Sequence, residues 1–590
     1  MQSTHRFGWL AAVAAAGLIL SACGGSDDMD PKNIKTQYGK VAGVDDAAQS
    51  GTYFWKGIPF AQPPMGALRW KAPMAPKAWG DTLQATTFGA SCIQNPRLYS
   101  PGNANGFDAS VGDNIASGHT PGSEDCLTLN IWRPATDDRD LPVIVFIYGG
   151  SNITGYSADP LYDGAALAKK ANAVVVSANY RLGQLGFFRH PALRDTAVDP
   201  TLTADDQSGN FAVLDIMAAL KFVQGNIAEF GGDPDNVTLS GQSAGAINIL
   251  AVLTAPGQRA AGLLHKLVPL SGGISVATSP GFPQPANNLA GNNGYIPALN
   301  PPATYELLSN MLLMKLLIDD GSAADVAAAT AWIQSHSNAD IAAYLRGKPA
   351  STLLQVGVKT VGDLGNTTGS GPIPEGTVVA TDPIAAILAG DYVKVPVLSG
   401  MTQSESKLLS SYLPLVGHPV GIQLPDAQLF PFLFDPVKTQ AATFGDIINP
   451  AYADGAAYDT AIAELDAKFF TAMRDNYMDA LATQTPGQIW SYRFDWKQEA
   501  APWNEVYGAA HAFDLAFLFG NFGPSLYANV IGGSANESGR LALSDAMMTT
   551  LASFAHSGNP NNASLGVNWP NWPKVLRFDA TPTERQISVQ

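Results

Sequence analysis

The chain has 590 residues, 46% of them hydrophobic and 14% charged, which is enough to bury a large core and is not the composition of a disordered protein. A formal net charge of −16 argues against nucleic acid or an anionic membrane surface as a partner. The acidic balance bears on solubility and identifies no substrate.

In chain order, the first residues read as an export signal. Arg6 precedes an apolar run from Trp9 to Leu20, too short to span a bilayer, and small residues follow. The run ends in Leu20-Ser21-Ala22-Cys23-Gly24, which resembles the lipobox of bacterial lipoproteins. That resemblance implies a signal peptide over residues 1–22 and a lipidated Cys23 as the first mature residue. An ordinary secretory signal with a coincidental cysteine is the alternative. Residues 23–36, opening with Gly24-Gly25-Ser26, read as a flexible tether. Gly24 after the cysteine resembles outer-membrane sorting, with a periplasmic or secreted protein as the alternative. The membrane would then be touched only through the lipid.

Two cysteines remain, Cys92 and Cys126. In an exported chain they form one candidate disulfide, closing a loop worth about 3–4 kcal/mol in the chain-entropy model. Two free buried thiols are the alternative. From Gln37 to Phe54 the pattern suits short strands and turns, and 54–70 is Pro- and Gly-rich and reads as irregular. Residues 93–125 read as a polar surface loop, and Ser123–Trp132 alternates like a strand. Leu141–Tyr148 and Ala173–Tyr180 are continuous apolar runs, as central strands buried on both faces should be. Phe211–Phe230 is helix-compatible. Strand–helix alternation predicts an α/β fold, with a mostly parallel central sheet and helices on both faces. Length would allow several domains, but the motifs below place 37–590 in one.

Residues 236–250 follow. The apolar strand around Val237 and Leu239 runs into Gly241-Gln242-Ser243-Ala244-Gly245, and an apolar helical run starts behind it. This is the G-x-S-x-G nucleophile elbow in its strand–turn–helix context. The helix start offers unpaired N–H groups and a positive dipole end to a developing anion.

The chain resembles the type B carboxylesterase/cholinesterase-like family of α/β-hydrolases. The residues carrying the resemblance are Gly57–Pro64, Glu124–Asn130, Tyr148-Gly149-Gly150, Asn179–Gly183, Gly209-Asn210 with Leu214-Asp215, and Phe230–Val237. The elbow, Gly508-Ala509-Ala510-His511, and Ser557–Pro560 with Trp569-Pro570 complete the family order. The resemblance implies the α/β-hydrolase fold, with a variable cap-like insertion at about 279–390 where the match is weakest. Inserted segments of this kind, with loops near Asn152 and Leu413, are expected to shape the substrate pocket. The sequence shows no metal-ligand cluster, and no cofactor is expected.

Ser243 needs a base, and in this fold the order is serine, acid, histidine. Of eight histidines, His5 lies in the signal, while His119 and His190 precede the serine. Among His265, His336, His418, His511 and His556, the resemblance selects His511. It selects Glu405, in Gly400–Ser406, as the acid, with Asp382 and Asp426 as fallbacks lacking motif support. For the oxyanion hole it implies the N–H groups of Gly150, Ser151 and Ala244, and Ser151 departs from the family's usual third glycine. Gln242 departs from the glutamate many relatives carry. The Cys92–Cys126 loop lacks the tryptophan that cholinesterases use to hold choline, which argues against choline esters.

The expectation is therefore an exported serine carboxylesterase acting on a small-molecule ester through an acyl-enzyme. One alternative is a cholinesterase-like binding or adhesion protein that has lost catalysis; such relatives lack a triad member, whereas all three positions are filled here. Another is a lipase, lactonase or carbamate hydrolase on the same triad. Neither substrate nor oligomeric state is readable.

Overall fold

The computed structural model describes residues 32–283, 298–363, 370–411 and 419–590. Cys23, the signal segment, Leu413 and His418 lie outside them. Among the described residues an eleven-stranded sheet organises the chain. From one edge its strands are Val44–Asp46, Thr52–Pro59, Thr128–Pro134, Val174–Ala178, Leu141–Ile147 and Gly232–Gln242. Lys266–Leu270, Val397–Thr402, Ile489–Phe494, Val575–Ala580 and Arg585–Val589 complete it. Neighbours run parallel from Val174–Ala178 to Val575–Ala580, and both edges are antiparallel.

The apolar runs account for this placement. Every residue of Leu141–Ile147 and Val174–Ala178 is buried, as strands covered on both faces must be. Thr128–Pro134 is buried at all but its first residue, so the alternation read from the sequence is not a solvent face. Helices Ala165–Ala171, Asp514–Phe519 and Glu537–Ser557 pack together against the sheet, while Phe211–Asn226 packs with Ala244–Leu253. No helix among the described residues is long and apolar enough to cross a membrane.

Three local readings change. Asn33–Thr36, placed in the tether, pairs with Gly39–Ala42 in a small three-stranded sheet. The irregular 54–70 stretch begins inside the strand Thr52–Pro59, because Trp55 and Ile58 are buried on it. The loop between the cysteines is not simply surface. It contains the helix Ser110–Ser117, and Gln94 is fully buried, donating to Gly155 O and accepting from Gly155 N.

Cys92 and Cys126 are disulfide-bonded, with Cα atoms 4.8 Å apart. Several motif residues tie the chain together. Arg69 makes a two-pronged pair with Glu124, and buried Arg181 another with Asp215. The 279–390 region supplies helices Pro302–Asp319, Val326–Ser335, Asn338–Gly347 and Ala350–Asp363, which share a second apolar core with Trp70, Leu185 and Phe188. Later in the chain, helix Gly455–Asp466 passes through a π-helical turn, Ala467–Thr471, into helix Ala472–Gln484.

Candidate active site

Ser243 stands between the strand Gly232–Gln242 and the helix Ala244–Leu253, with φ 57° and ψ −123°. A non-glycine residue in that region is strained, by on the order of 1–3 kcal/mol. Its N–H is held by Leu270 O at 2.8 Å on the next strand. The flanking glycines are required by contact. A Cβ on Gly245 would sit 2.2 Å from Ile147 O, and one on Gly241 would sit 2.6 Å from Gly245 O. The turn is tight because two backbones meet there.

Glu405 lies just beyond the strand Val397–Thr402 and is fully buried. Its Oε1 accepts from Thr402 N at 2.7 Å and from the Ser271 hydroxyl at 2.6 Å, and its Oε2 faces His511 Nδ1 at 2.5 Å. The acid and histidine loops are joined directly, since Ser404 N donates to Ala509 O at 2.9 Å. Phe470, on the π-helical turn, packs its ring 5.1 Å from the imidazole. With both carboxylate oxygens accepting, the His511 proton belongs on Nδ1, and Nε2 carries a lone pair.

Nε2 makes no hydrogen bond to Ser243 Oγ among the described residues. Its partner is the side-chain amide of Gln242, Nε2 to Nε2 at 3.0 Å. Ser243 and His511 nevertheless line one cavity. Gly150, Ser151 and Ala244 border Ser243 as well. Ala244 is the first residue of its helix, so its N–H has no partner one turn back. Ser151 sits at φ 55° and Asn152 at φ 58°, left-handed conformations that glycine adopts without strain. Asn152 is locked by accepting from Asn248 at 2.8 Å.

The space around Ser243 has two lobes that share Ser151, Ser243 and Leu409. The first, about 750 Å³, contains His511 with Tyr99, Tyr162, Phe513 and Tyr527. Tyr99 comes from the disulfide loop and hydrogen-bonds Tyr527, hydroxyl to hydroxyl, at 2.7 Å. Asp159 also faces this lobe; burial pushes its carboxyl up to about 6, against the lowering effect of a bond from Leu161 N. The second lobe, about 800 Å³, is walled by Ile247, Gly272, Tyr305, Phe469, Phe470 and Met473. Two further acids lie behind the histidine and Glu405. Burial raises Asp466 to about 8 and Asp514 to about 6, and the Glu405 charge adds to both shifts.

The fallback acids have structural partners. Asp382 caps the helix Pro383–Ala389 and accepts from Ser279, and Asp426 pairs with Arg97. Of the other histidines after the serine, His265 accepts from Val237 N, His336 stacks on Trp332, and His556 bonds Ala171 O. The 279–390 region reaches the second lobe through Ala298, Tyr305 and Ser370–Pro372. Sequence reasoning missed Ser271, Tyr99, Asp159, Tyr527 and the two phenylalanines of the π turn. For Tyr99, its place inside the disulfide loop was the available signal.

A parallel sheet, a strained serine at the C-terminal end of a central strand, and a histidine–carboxylate pair beside it define an α/β-hydrolase. The chain belongs to the carboxylesterase family, whose model matches residues 30–317 and 306–588. It is 30% identical over 552 residues to a para-nitrobenzyl esterase of Bacillus subtilis (strain 168), covering 92% of this chain and 93% of that one. It is 31% identical over 555 residues to a fumonisin B1 esterase of Sphingopyxis macrogoltabida, covering 93% and 85%. Among solved structures it resembles a PNB esterase, with a TM-score of 0.66 and 27% identity over 95% of this chain and 97% of that one. The Geobacillus stearothermophilus carboxylesterase EST55 gives a TM-score of 0.65 at 27% identity, covering 95% and 98%. The protein is a carboxylic ester hydrolase.

Proposed function

We propose that the protein hydrolyses small-molecule carboxylic esters through an acyl-enzyme, with Ser243 as nucleophile, His511 as base and then acid, and Glu405 as the orienting acid. The observation that carries this reading is the Glu405–His511 contact at 2.5 Å, with His511 lining the same cavity as Ser243. Ser243 Oγ attacks the carbonyl carbon and its proton passes to His511 Nε2. The carbonyl oxygen, now an anion, is received by the N–H groups of Gly150, Ser151 and Ala244, each worth about 3–4 kcal/mol. The proton then goes to the leaving alkoxide, the alcohol departs, and water repeats the sequence to release the acid.

The lobe holding His511 takes the alcohol, since the leaving oxygen must reach Nε2. The lobe walled by Phe469, Phe470 and Met473 takes the acyl group. A binding protein without catalysis is disfavoured because all three triad positions are filled.

The test is intact mass after exposure to an alkyl phosphonate ester. One adduct, on Ser243 and abolished in Ser243→Ala together with p-nitrophenyl acetate turnover, is the expected result. No adduct on a folded wild-type protein would sink the mechanism.

We further propose export as a lipoprotein anchored through Cys23. The lipobox-like segment supports it, as does a disulfide suited to an oxidising compartment. Radiolabelled palmitate should enter the wild-type chain expressed in a Gram-negative host and not Cys23→Ala; incorporation in both would refute it.

A further inference from the structure

The residue before the nucleophile occupies the one atom of His511 that the reaction needs. Glu405 and its two other donors fix the imidazole proton on Nδ1, so Nε2 is an acceptor, and the group facing it at 3.0 Å is the Gln242 amide nitrogen. Gln242 is 3% exposed. Its Oε1 lies beside Gly149, where a Cβ would come within 2.6 Å of it.

We propose that Gln242 is a positioning residue that holds neutral His511 in the free enzyme and hands it over during catalysis, an inference that rests on the triad reading above. In the resting site the amide N–H donates to the Nε2 lone pair, and Ser243 Oγ is left without the base. Substrate entering beside Gly149 and Gly150 brings the Ser243 hydroxyl to Nε2. When Nε2 takes the seryl proton it becomes a donor, and an amide N–H facing it is donor against donor. The amide withdraws from Nε2 and leaves the new Nε2–H to face the leaving alkoxide. The absent side chain at Gly149 leaves room for that withdrawal. No atom is exchanged with Gln242, so the proton balance stays serine to histidine to leaving alkoxide. A glutamate at 242 could not do this, because it has no N–H to offer neutral Nε2 and would instead attract the charged imidazole.

The charged and titratable groups facing His511 are Glu405 at Nδ1, Asp514 and, behind Ser406, Asp466; the Phe470 ring covers one side. None is altered by changing Gln242, which makes the pH profile a clean readout. In the free enzyme the amide NH₂, a donor only, competes with the proton for Nε2, whereas in the acyl-enzyme it is displaced by the deacylating water, which can turn to accept from a protonated Nε2. The acid limb of kcat/KM should therefore fall at lower pH than the acid limb of kcat, by about half a unit, as expected for one neutral hydrogen bond.

Profiles for p-nitrophenyl acetate would be measured on wild type, Gln242→Leu and Gln242→Glu. In Gln242→Leu the two limbs should coincide; in Gln242→Glu the kcat/KM limb should move up by about one pH unit. A merely structural role would lower rates at every pH and leave the limbs in place. Coincident limbs in wild type, or a separation that survives in Gln242→Leu, would overturn the inference while leaving the triad intact. Absence of turnover in folded wild type would overturn the triad reading, and this inference with it.

Discussion

Glu405→Gln tests the triad at its acid, and the hydrogen bonds around it set the magnitude. Oε1 accepts two donors, the Ser271 hydroxyl at 2.6 Å and Thr402 N at 2.7 Å, and Oε2 accepts one, His511 Nδ1 at 2.5 Å. Glutamine offers one oxygen. If that oxygen stays with Ser271 and Thr402, its NH₂ confronts Nδ1–H, and the imidazole escapes by moving its proton to Nε2. The base is then gone. If the amide turns round, the Ser271 hydroxyl can rotate to accept, but the buried Thr402 N–H cannot, at a cost of about 1–3 kcal/mol. The productive orientation is therefore populated at roughly a tenth to a hundredth, and even there the carboxylate charge that steadies the imidazolium is missing. Together these predict a fall in kcat/KM of about 10³–10⁴-fold, or about 4–5.5 kcal/mol of transition-state stabilisation. The assay is p-nitrophenyl acetate hydrolysis at pH 8, with the folded state checked by circular dichroism. Activity within tenfold of wild type would show that another carboxyl, Asp466 or Asp514, orients the histidine.

Replacing both Cys92 and Cys126 with serine should lower stability by about 3–4 kcal/mol, from a sequence separation of 34 in the chain-entropy model, read as a urea midpoint shift. KM should rise as well, since Tyr99 sits in that loop; an unchanged midpoint would refute the entropic account. Asp466→Asn should flatten the pH dependence of stability. With the folded carboxyl raised to about 8 by burial, the native state keeps a proton that the unfolded chain loses near pH 4, so wild-type stability falls as pH rises between these values, by about 1.4 kcal/mol per unit at most. Urea unfolding at pH 5 and pH 8 should show the smaller drop in the variant, and equal drops would count against a protonated Asp466. Phe469→Ala should improve kcat/KM for esters with branched acyl chains relative to acetate, by about tenfold; an equal effect on alcohol-side bulk would reverse the lobe assignment.

What could be read from the sequence followed from how locally each feature is determined. The strands Leu141–Ile147 and Val174–Ala178 were legible because a strand buried on both faces needs an unbroken apolar run. The elbow was legible because two backbones meeting at Gly241 and Gly245 exclude any side chain. Ser271 was not, because nothing near it in the chain marks a serine whose partner is 134 residues away. The alternation around Thr128 marked a strand correctly but not that both of its faces are covered. Asn130, a polar residue within it, is buried and satisfied by other buried groups, donating to Ser157 and Ser177. Tyr99, Phe469 and Phe470 reach the site from segments that are remote in sequence or irregular, where spacing says little.

The π-helical turn at Ala467–Thr471 gives the acyl lobe an unusual kind of adjustability. Such a turn is an α-helix carrying one surplus residue. Losing any single residue there would let Gly455–Asp466 and Ala472–Gln484 fuse into one regular helix, with both ends still anchored in the core. The side chains of the turn would swing round the helix axis by about a quarter of a revolution, carrying Phe470 away from His511. A deletion of one codon could thus recut the acyl lobe while leaving serine, histidine and glutamate in place. On the lobe assignment proposed above, such a deletion would change the choice of acid through chain length, without any substitution.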